Sequence, residues 1–190
     1  FISRKYEQVE QLSGDRFNIF KILKIEANEV RLHSSIVAEL LNPKGSHGFG
    51  HIFLKLFLEC LSLDGFKPEQ SEVVVEKHIG LVSDTRGGRL DIYLKDSTGN
   101  MIFIENKIYA ADQINQLERY HNYNKNAKIL YLSLDGKLPS INSVSSDSSL
   151  HEKGLLRVIS YSHDIIRWLE RCRKEATTQP MLRETLSQYI

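Results

Sequence analysis

GRLDIYLKDSTGNMIFIENKIYAADQINQLERY, residues 88–120, is the stretch whose reading decides the fold. LDIYL and MIFIENKI are short apolar runs rich in branched and aromatic residues, each of strand length. DSTGN between them has hairpin-turn chemistry. A helix is predicted behind them, from about Ala111 to Asn124. Side chains alternate faces along a strand. Leu90, Ile92 and Leu94 are therefore expected on one face, and Arg89, Asp91 and Tyr93 on the other. Likewise Ile102, Ile104, Asn106 and Ile108 oppose Met101, Phe103, Glu105 and Lys107. A hairpin then carries Asp91 towards Glu105 and Lys107 on a common face. Gln116 and Tyr120 are i, i+4 neighbours on the following helix, with Gln113 on the same side.

Outward from this stretch, residues 3–26 read as helical. Asn28 is suited to cap a helix running from Glu29 to about Leu41, which Asn42-Pro43 stops. PKGSHGFG is a turn-rich connection, and a further helix is expected from about Gly50 to Leu63. VVVEKHIGLV (Val73 to Val82) reads as a strand, followed by a turn at Asp84 to Gly88. Downstream, KILYLSL and LRVISY are strands separated by a long Ser- and Gly-bearing loop from Asp135 to Gly154, and HDIIRWLERCRKEA is a helix. Helices, a three-strand meander and then helix–strand–strand–helix make an α/β protein, a mixed β-sheet flanked by α-helices.

The 190 residues are most simply one domain, residues 1–190, with a hydrophobic fraction of 41% and a net charge of only +1. No bulk positive field announces a polyanionic partner, so any such site is a local patch. Cys60 and Cys172 form no CxxC pair, which argues against a disulfide framework or zinc ribbon and fits a reducing, cytoplasmic setting. No apolar run approaches the roughly 20 residues that span a bilayer. The chain starts without Met and stops inside the periodic segment MLRETLSQYI, which points to a piece of a longer protein.

A hard cation such as Mg²⁺ takes oxygen ligands, commonly one or two carboxylates plus water and substrate phosphate. Asp91 and Glu105 have that chemistry, and the Asn106 carbonyl adds an oxygen between them. A lysine beside the metal can stabilise developing negative charge or acidify an attacking water. Alone, Glu-x-Lys is better read as a cross-strand salt bridge. Asp91 at matching parity, the otherwise apolar third strand, and Gln116 with Tyr120 shift the balance towards a site.

G-R-L-D, I-E-N-K and D-Q-I-N-Q-L-E-R-Y together resemble the PD-(D/E)XK nuclease superfamily, and the Q-L-x-x-Y ending is similar to its RecB-like branch. EVRLHSSIVAELLNPKGSHGFGHIF and VISYSHDIIRWLE look like a bacterial and phage group within it, so the likeness runs from about Asn28 to Ile190. The resemblance implies a restriction-endonuclease-like core and a Mg²⁺- or Mn²⁺-dependent nuclease acting on DNA, with RNA left open. It implies Asp91 and Glu105 as metal ligands, Lys107 as the catalytic lysine, and Gln116 and Tyr120 as orienting groups. The proline of the motif is absent, Leu90 standing before Asp91.

The superfamily also takes an acidic residue or histidine from its first core helix. Helical phase places Glu29 and His33 on the stripe of Ile36, Val37 and Leu40, and Glu39 on a more polar side. Glu29 or His33 is therefore the expected contributor to catalysis and metal binding. Glu76 is a further polar candidate whose default is a surface role. His47 and His51 lack a third zinc ligand and read as loop and cap residues. Cys172 reads as a packed helical cysteine. Arg119, Lys125 and Lys128 either line a phosphate path or are scattered surface charges. The rival to an enzyme is a nuclease-like binding module for nucleic acid or protein, without turnover. A third reading, hydrolysis of small phosphoesters, demands a closed pocket that nothing in the sequence requires.

Overall fold

The computed structural model describes residues 18–23 and 29–190, excepting the side chains at 29–31. Most of the helix expected over 3–26, and the cap at Asn28, lie outside the described residues, as does the side chain of Glu29. Within that stretch Ile19–Leu23 is helical (α1).

Five strands form one sheet in the order β1 (Glu72–His78), β2 (Arg89–Lys95), β3 (Met101–Lys107), β4 (Lys128–Ser133) and β5 (Leu156–Ser160). The first three are an antiparallel meander, whereas β4 lies parallel to β3 and β5 parallel to β4. Parallel neighbours need crossovers. One is made by α4 (Gln116–Tyr123) and the other by the long segment that contains α5 (Ser149–Glu152). On one face Ile92, Leu94, Ile102, Ile104, Leu130 and Leu132 bury against α2 (Ser35–Leu41), α3 (Ile52–Cys60) and α6 (Ile166–Glu175). The indole of Trp168, fully buried there, donates from Nε1 to the Phe53 carbonyl at 2.8 Å, so its polar atom is satisfied inside the core. On the opposite face Tyr93, Phe103, Ile129 and Tyr131 pack under α4, through Leu117 and Tyr120. A last helix, α7 (Pro180–Tyr189), lies beside α6. This is an α/β fold with a mixed sheet between helices, consistent with a restriction-endonuclease-like core.

The β2–β3 turn is fixed by Asp96, which is buried. Its Oδ1 accepts from Thr98 N, Thr98 Oγ1 and Asn100 N, and its Oδ2 from Lys67 N and Asn100 Nδ2, all at 2.9 Å. Burial alone would raise this carboxyl, but those donors hold it down at about 2. Asp96→Ala is expected to cost about 2 kcal/mol, because buried donors lose a charged acceptor; a urea midpoint equal to wild type would refute it. The sign of the pH effect follows from the lowered value. The Asp96 contribution is complete above the ordinary carboxylate range and is lost as pH falls towards about 2.

Four boundaries depart from expectation. The strand predicted over Val73–Val82 ends at His78, and Leu81 and Val82 stand exposed in the β1–β2 loop. That loop closes at Gly87, where a Cβ would sit 1.9 Å from the Leu81 carbonyl oxygen. The helix predicted from Ala111 starts only at Gln116, because Asn115 is left-handed at φ +53. Its opening N–H groups are satisfied by the chain from the Asp135–Gly154 segment: Asn115 N donates to Asn142 O and Leu117 N to Ser143 O. The segment expected to be a plain loop thus caps α4, and it buries Val144 and Leu150. Finally, the helix ending at Leu41 opens with a π-helical turn, Glu29–Ser34.

Candidate active site

Strand β3 alternates as its sequence requires. Ile102 and Ile104 enter one core and Phe103 the other, while Asn106 contacts Ser34 beneath α2 and Glu105 faces α4. Glu105 is buried, and each of its oxygens is held. Oε1 accepts from Gln116 Nε2 at 2.7 Å and lies 2.9 Å from Lys107 Nζ, and Oε2 is 2.8 Å from the Tyr120 hydroxyl. Gln116 also donates to Tyr120 at 3.0 Å, and the Tyr120 hydroxyl lies 2.8 Å from the Arg89 carbonyl. The i, i+4 pair on α4 is therefore a clamp on the carboxylate of β3. Tyr120 ties that clamp to β2.

Asp91 joins them from β2. Its Oδ2 accepts the Asn106 backbone N–H at 2.7 Å, and Glu105 and Lys107 are both within electrostatic reach. The expected parity of β2 fails next to it. Leu90 lies in the core with Tyr93 and Phe103 instead of with Ile92 and Leu94. The break coincides with a gap in the β1–β2 ladder, where Val75 pairs with Ile92 and Lys77 with Leu90 but the rung between Glu76 and Asp91 is missing. Glu76 there adopts φ +56.

Electrostatically, the site is short of positive charge. Burial, and then the Glu105 carboxylate, push Asp91 up to about 8, against the Asn106 amide and Lys107. Burial also raises Glu105, although Lys107, Tyr120 and Gln116 favour its charged form. For Lys107, burial opposes the charge, but Glu105, Asp91 and Asp112 outweigh it and its pKa is raised. Lys107 thus stays an ammonium while Asp91 holds its proton far into the neutral range. A divalent cation would replace that proton and relieve the repulsion between the two carboxylates.

Among the described residues, no three of His, Cys, Asp and Glu converge closely enough to cage an ion. A two-carboxylate site completed by water and phosphate is what Mg²⁺ commonly uses, so the donor set fits that ion or Mn²⁺. One orphaned atom supports the fit: Glu76 Oε1, beside Asp91, is buried and has no hydrogen-bond partner. Of the site residues, Lys107 lines a cleft of about 540 Å³, together with Tyr109, Asp112, Tyr131 and Lys137. Asp112 is engaged in its wall, accepting from Tyr131 Oη and Ser140 N.

His33, expected near the carboxylates, is half-buried, with Nδ1 2.8 Å from the Tyr189 hydroxyl and its ring against Tyr161. Tyr161 in turn is within reach of Asn106 and Asp91. From this helix Ser34 reaches β3, its Oγ accepting from Asn106 Nδ2 at 3.1 Å. Sequence reasoning missed Ser34, Tyr161 and Tyr189. Ser34 lies in regular helical phase with the buried Val37, Ala38 and Leu41, a stripe beside the one that carries His33. Gln113 lies before α4, not on it, and its Oε1 accepts from Arg119 Nη2 at 3.0 Å.

The remaining candidates have partners within the fold. Arg119 is buried and donates to the Gly87, Ile114 and Gln113 oxygens, pinning the β1–β2 loop to α4; it does not line a phosphate path. Lys125 and Lys128 bond to Asn122 and to the Asp64 carbonyl. Glu39 is exposed and accepts from Ser46 N. His47 bonds Asn42 O through Nε2 and accepts Phe49 N at Nδ1, which fixes a loop. Cys172 is buried, and burial pushes its thiol far up. No helix among the described residues is long and apolar enough to cross a membrane.

No curated protein and no solved structure matches the chain. The sequence model of the PD-(D/E)XK nuclease superfamily matches it over residues 17–190. That span includes all five strands and the whole Asp91, Glu105, Lys107, Gln116 and Tyr120 constellation. The chain belongs to the PD-(D/E)XK nuclease superfamily.

Proposed function

We propose that this chain is a Mg²⁺- or Mn²⁺-dependent nuclease that hydrolyses phosphodiester bonds in DNA. The observation that carries the reading is the buried Glu105–Lys107 pair, clamped by Gln116 and Tyr120, joined by Asp91 from β2, with Lys107 lining a cleft. A structural salt bridge has no need of a second carboxylate whose charge it must suppress.

Asp91 and Glu105 would hold the cation, with the Asn106 carbonyl as a further oxygen donor. When bound, the ion supplies a Lewis acid that neutralises phosphate charge and acidifies water. Lys107 keeps its proton and offsets the negative charge that builds on the phosphate oxygens during displacement. Gln116 and Tyr120 hold Glu105 in one orientation, so the site is organised before substrate arrives. Glu29 and His33 are the candidates for a contribution from the first core helix, His33 through Tyr161. The Gln116-Leu117 and Tyr120 pattern supports placement in the RecB-like branch, and a cytoplasmic setting suits free Cys60 and Cys172.

The test is a cleavage assay on linear and circular, single- and double-stranded DNA, with RNA in parallel, in Mg²⁺, Mn²⁺ or EDTA. Melting curves accompany it, since an ion that binds only the folded state raises the melting temperature. Cleavage in either metal and none in EDTA is expected. No metal-induced stabilisation and no cleavage, with nucleic acid still bound, would instead identify a binding module.

A further inference from the structure

We propose that Glu76 is a positioning residue of the metal centre, its Oε1 accepting a hydrogen bond from water held beside the cation at Asp91. The inference rests on the metal-dependent reading above.

The Glu76 carboxylate is divided in its contacts. Oε2 is 2.5 Å from Arg89 Nε, whereas Oε1 is buried and has no hydrogen-bond partner. An unsatisfied buried carboxylate oxygen is costly to keep, so a missing donor is the natural explanation. The backbone adds its own cost. Glu76 stands at φ +56 in the middle of a strand, a conformation that side-chain-bearing residues seldom adopt there. That turn removes the rung between Glu76 and Asp91 while the rungs on either side survive. The distortion is confined to the position opposite the candidate metal ligand.

Charge points the same way. Asp91, Glu76 and Glu105 are three carboxylates with two cationic partners, Arg89 and Lys107. Arg89 is largely exposed and belongs to Glu76; Lys107 belongs to Glu105. Asp91 is left as the acid without a cation of its own. The three acids do not converge into a cage, which assigns Glu76 to the water beside the ion and not to the ion itself.

Mn²⁺ affinity, measured by calorimetry on the whole chain without nucleic acid, tests the proposal. Glu76→Gln keeps the shape and removes the charge, and Glu76→Gly removes the side chain and relieves the positive φ. Both variants are expected to bind Mn²⁺ at least about tenfold more weakly. Their metal-free melting temperatures are expected to equal or exceed wild type, which a purely structural role would not produce. Asp91→Asn serves as the reference. Mn²⁺ affinity within about twofold of wild type in both Glu76 variants, with binding lost in Asp91→Asn, would overturn the role of Glu76 alone. Unchanged binding in all three variants would overturn the metal-centre reading as well.

Discussion

Lys107→Ala is expected to reduce metal-dependent cleavage by about 10³-fold or more, the order seen when a preorganised charge is removed from a reacting centre. Its effect on stability should depend on pH. Lys107 is the cation paired with the fully buried Glu105, and removing one partner leaves the other charge uncompensated, at about 3 kcal/mol where Glu105 is ionised. Glu105 can escape by taking a proton, because Gln116 and Tyr120 still bond to it. Without Lys107 its folded pKa rises further above the unfolded value. The penalty is then absent below the ordinary carboxylate range and grows as pH rises through neutrality. Melting curves from pH 5 to 9, beside single-turnover cleavage, separate the two effects. A variant that cleaves normally would end the assignment. A melting deficit that does not change with pH would contradict the charge argument.

Side-chain alternation explains why so much of this site was legible in the sequence. Phe103, Glu105 and Lys107 share a face because β3 is regular, and Ile102, Ile104 and Asn106 necessarily take the other. The spacing of Gln116 and Tyr120 likewise set both on one side of α4, whatever residue begins the helix. One failure occurs where the backbone leaves its regular period. Leu90 joins the other core beside the missing rung between Asp91 and Glu76, which stands at positive φ, and no residue in VVVEKH advertises that turn. Ser34, in phase with Val37, Ala38 and Leu41, reaches Asn106 of β3, and a serine on an apolar stripe does not announce such a contact. Arg119 shows a different limit. Composition cannot tell an arginine that meets phosphate from one that collects three oxygen acceptors under a loop. Two of the acceptors, on Gln113 and Ile114, lie just before the helix, and the third, Gly87, is brought to Arg119 only by the fold.

Asp91→Asn should give the opposite stability result to Lys107→Ala while also abolishing cleavage. In the folded, metal-free chain the Asp91 carboxyl is raised to about 8, first by burial and then by Glu105. An acid raised above its unfolded value makes folding less favourable as pH climbs from about 4 to about 8, since the unfolded chain gives up its proton earlier. Asparagine never bears that charge, and its side-chain oxygen can still accept the Asn106 N–H that Asp91 Oδ2 accepts. The variant should therefore melt with wild type near pH 4 and above it by pH 9. Allowing for relaxation, the gain is on the order of 2 kcal/mol, or about 4–8 °C for a chain of this size. Added Mn²⁺ should reverse the order. Wild type gains stability, increasingly so as pH approaches 8 and the cation no longer competes with the proton, whereas Asp91→Asn does not respond. A residue kept at the expense of stability and repaid only by a cation is what a metal ligand requires. An Asp91→Asn variant that is less stable than wild type at pH 9 without metal would mean that the carboxylate is there to support the fold. One that still cleaves DNA would remove Asp91 from the active site.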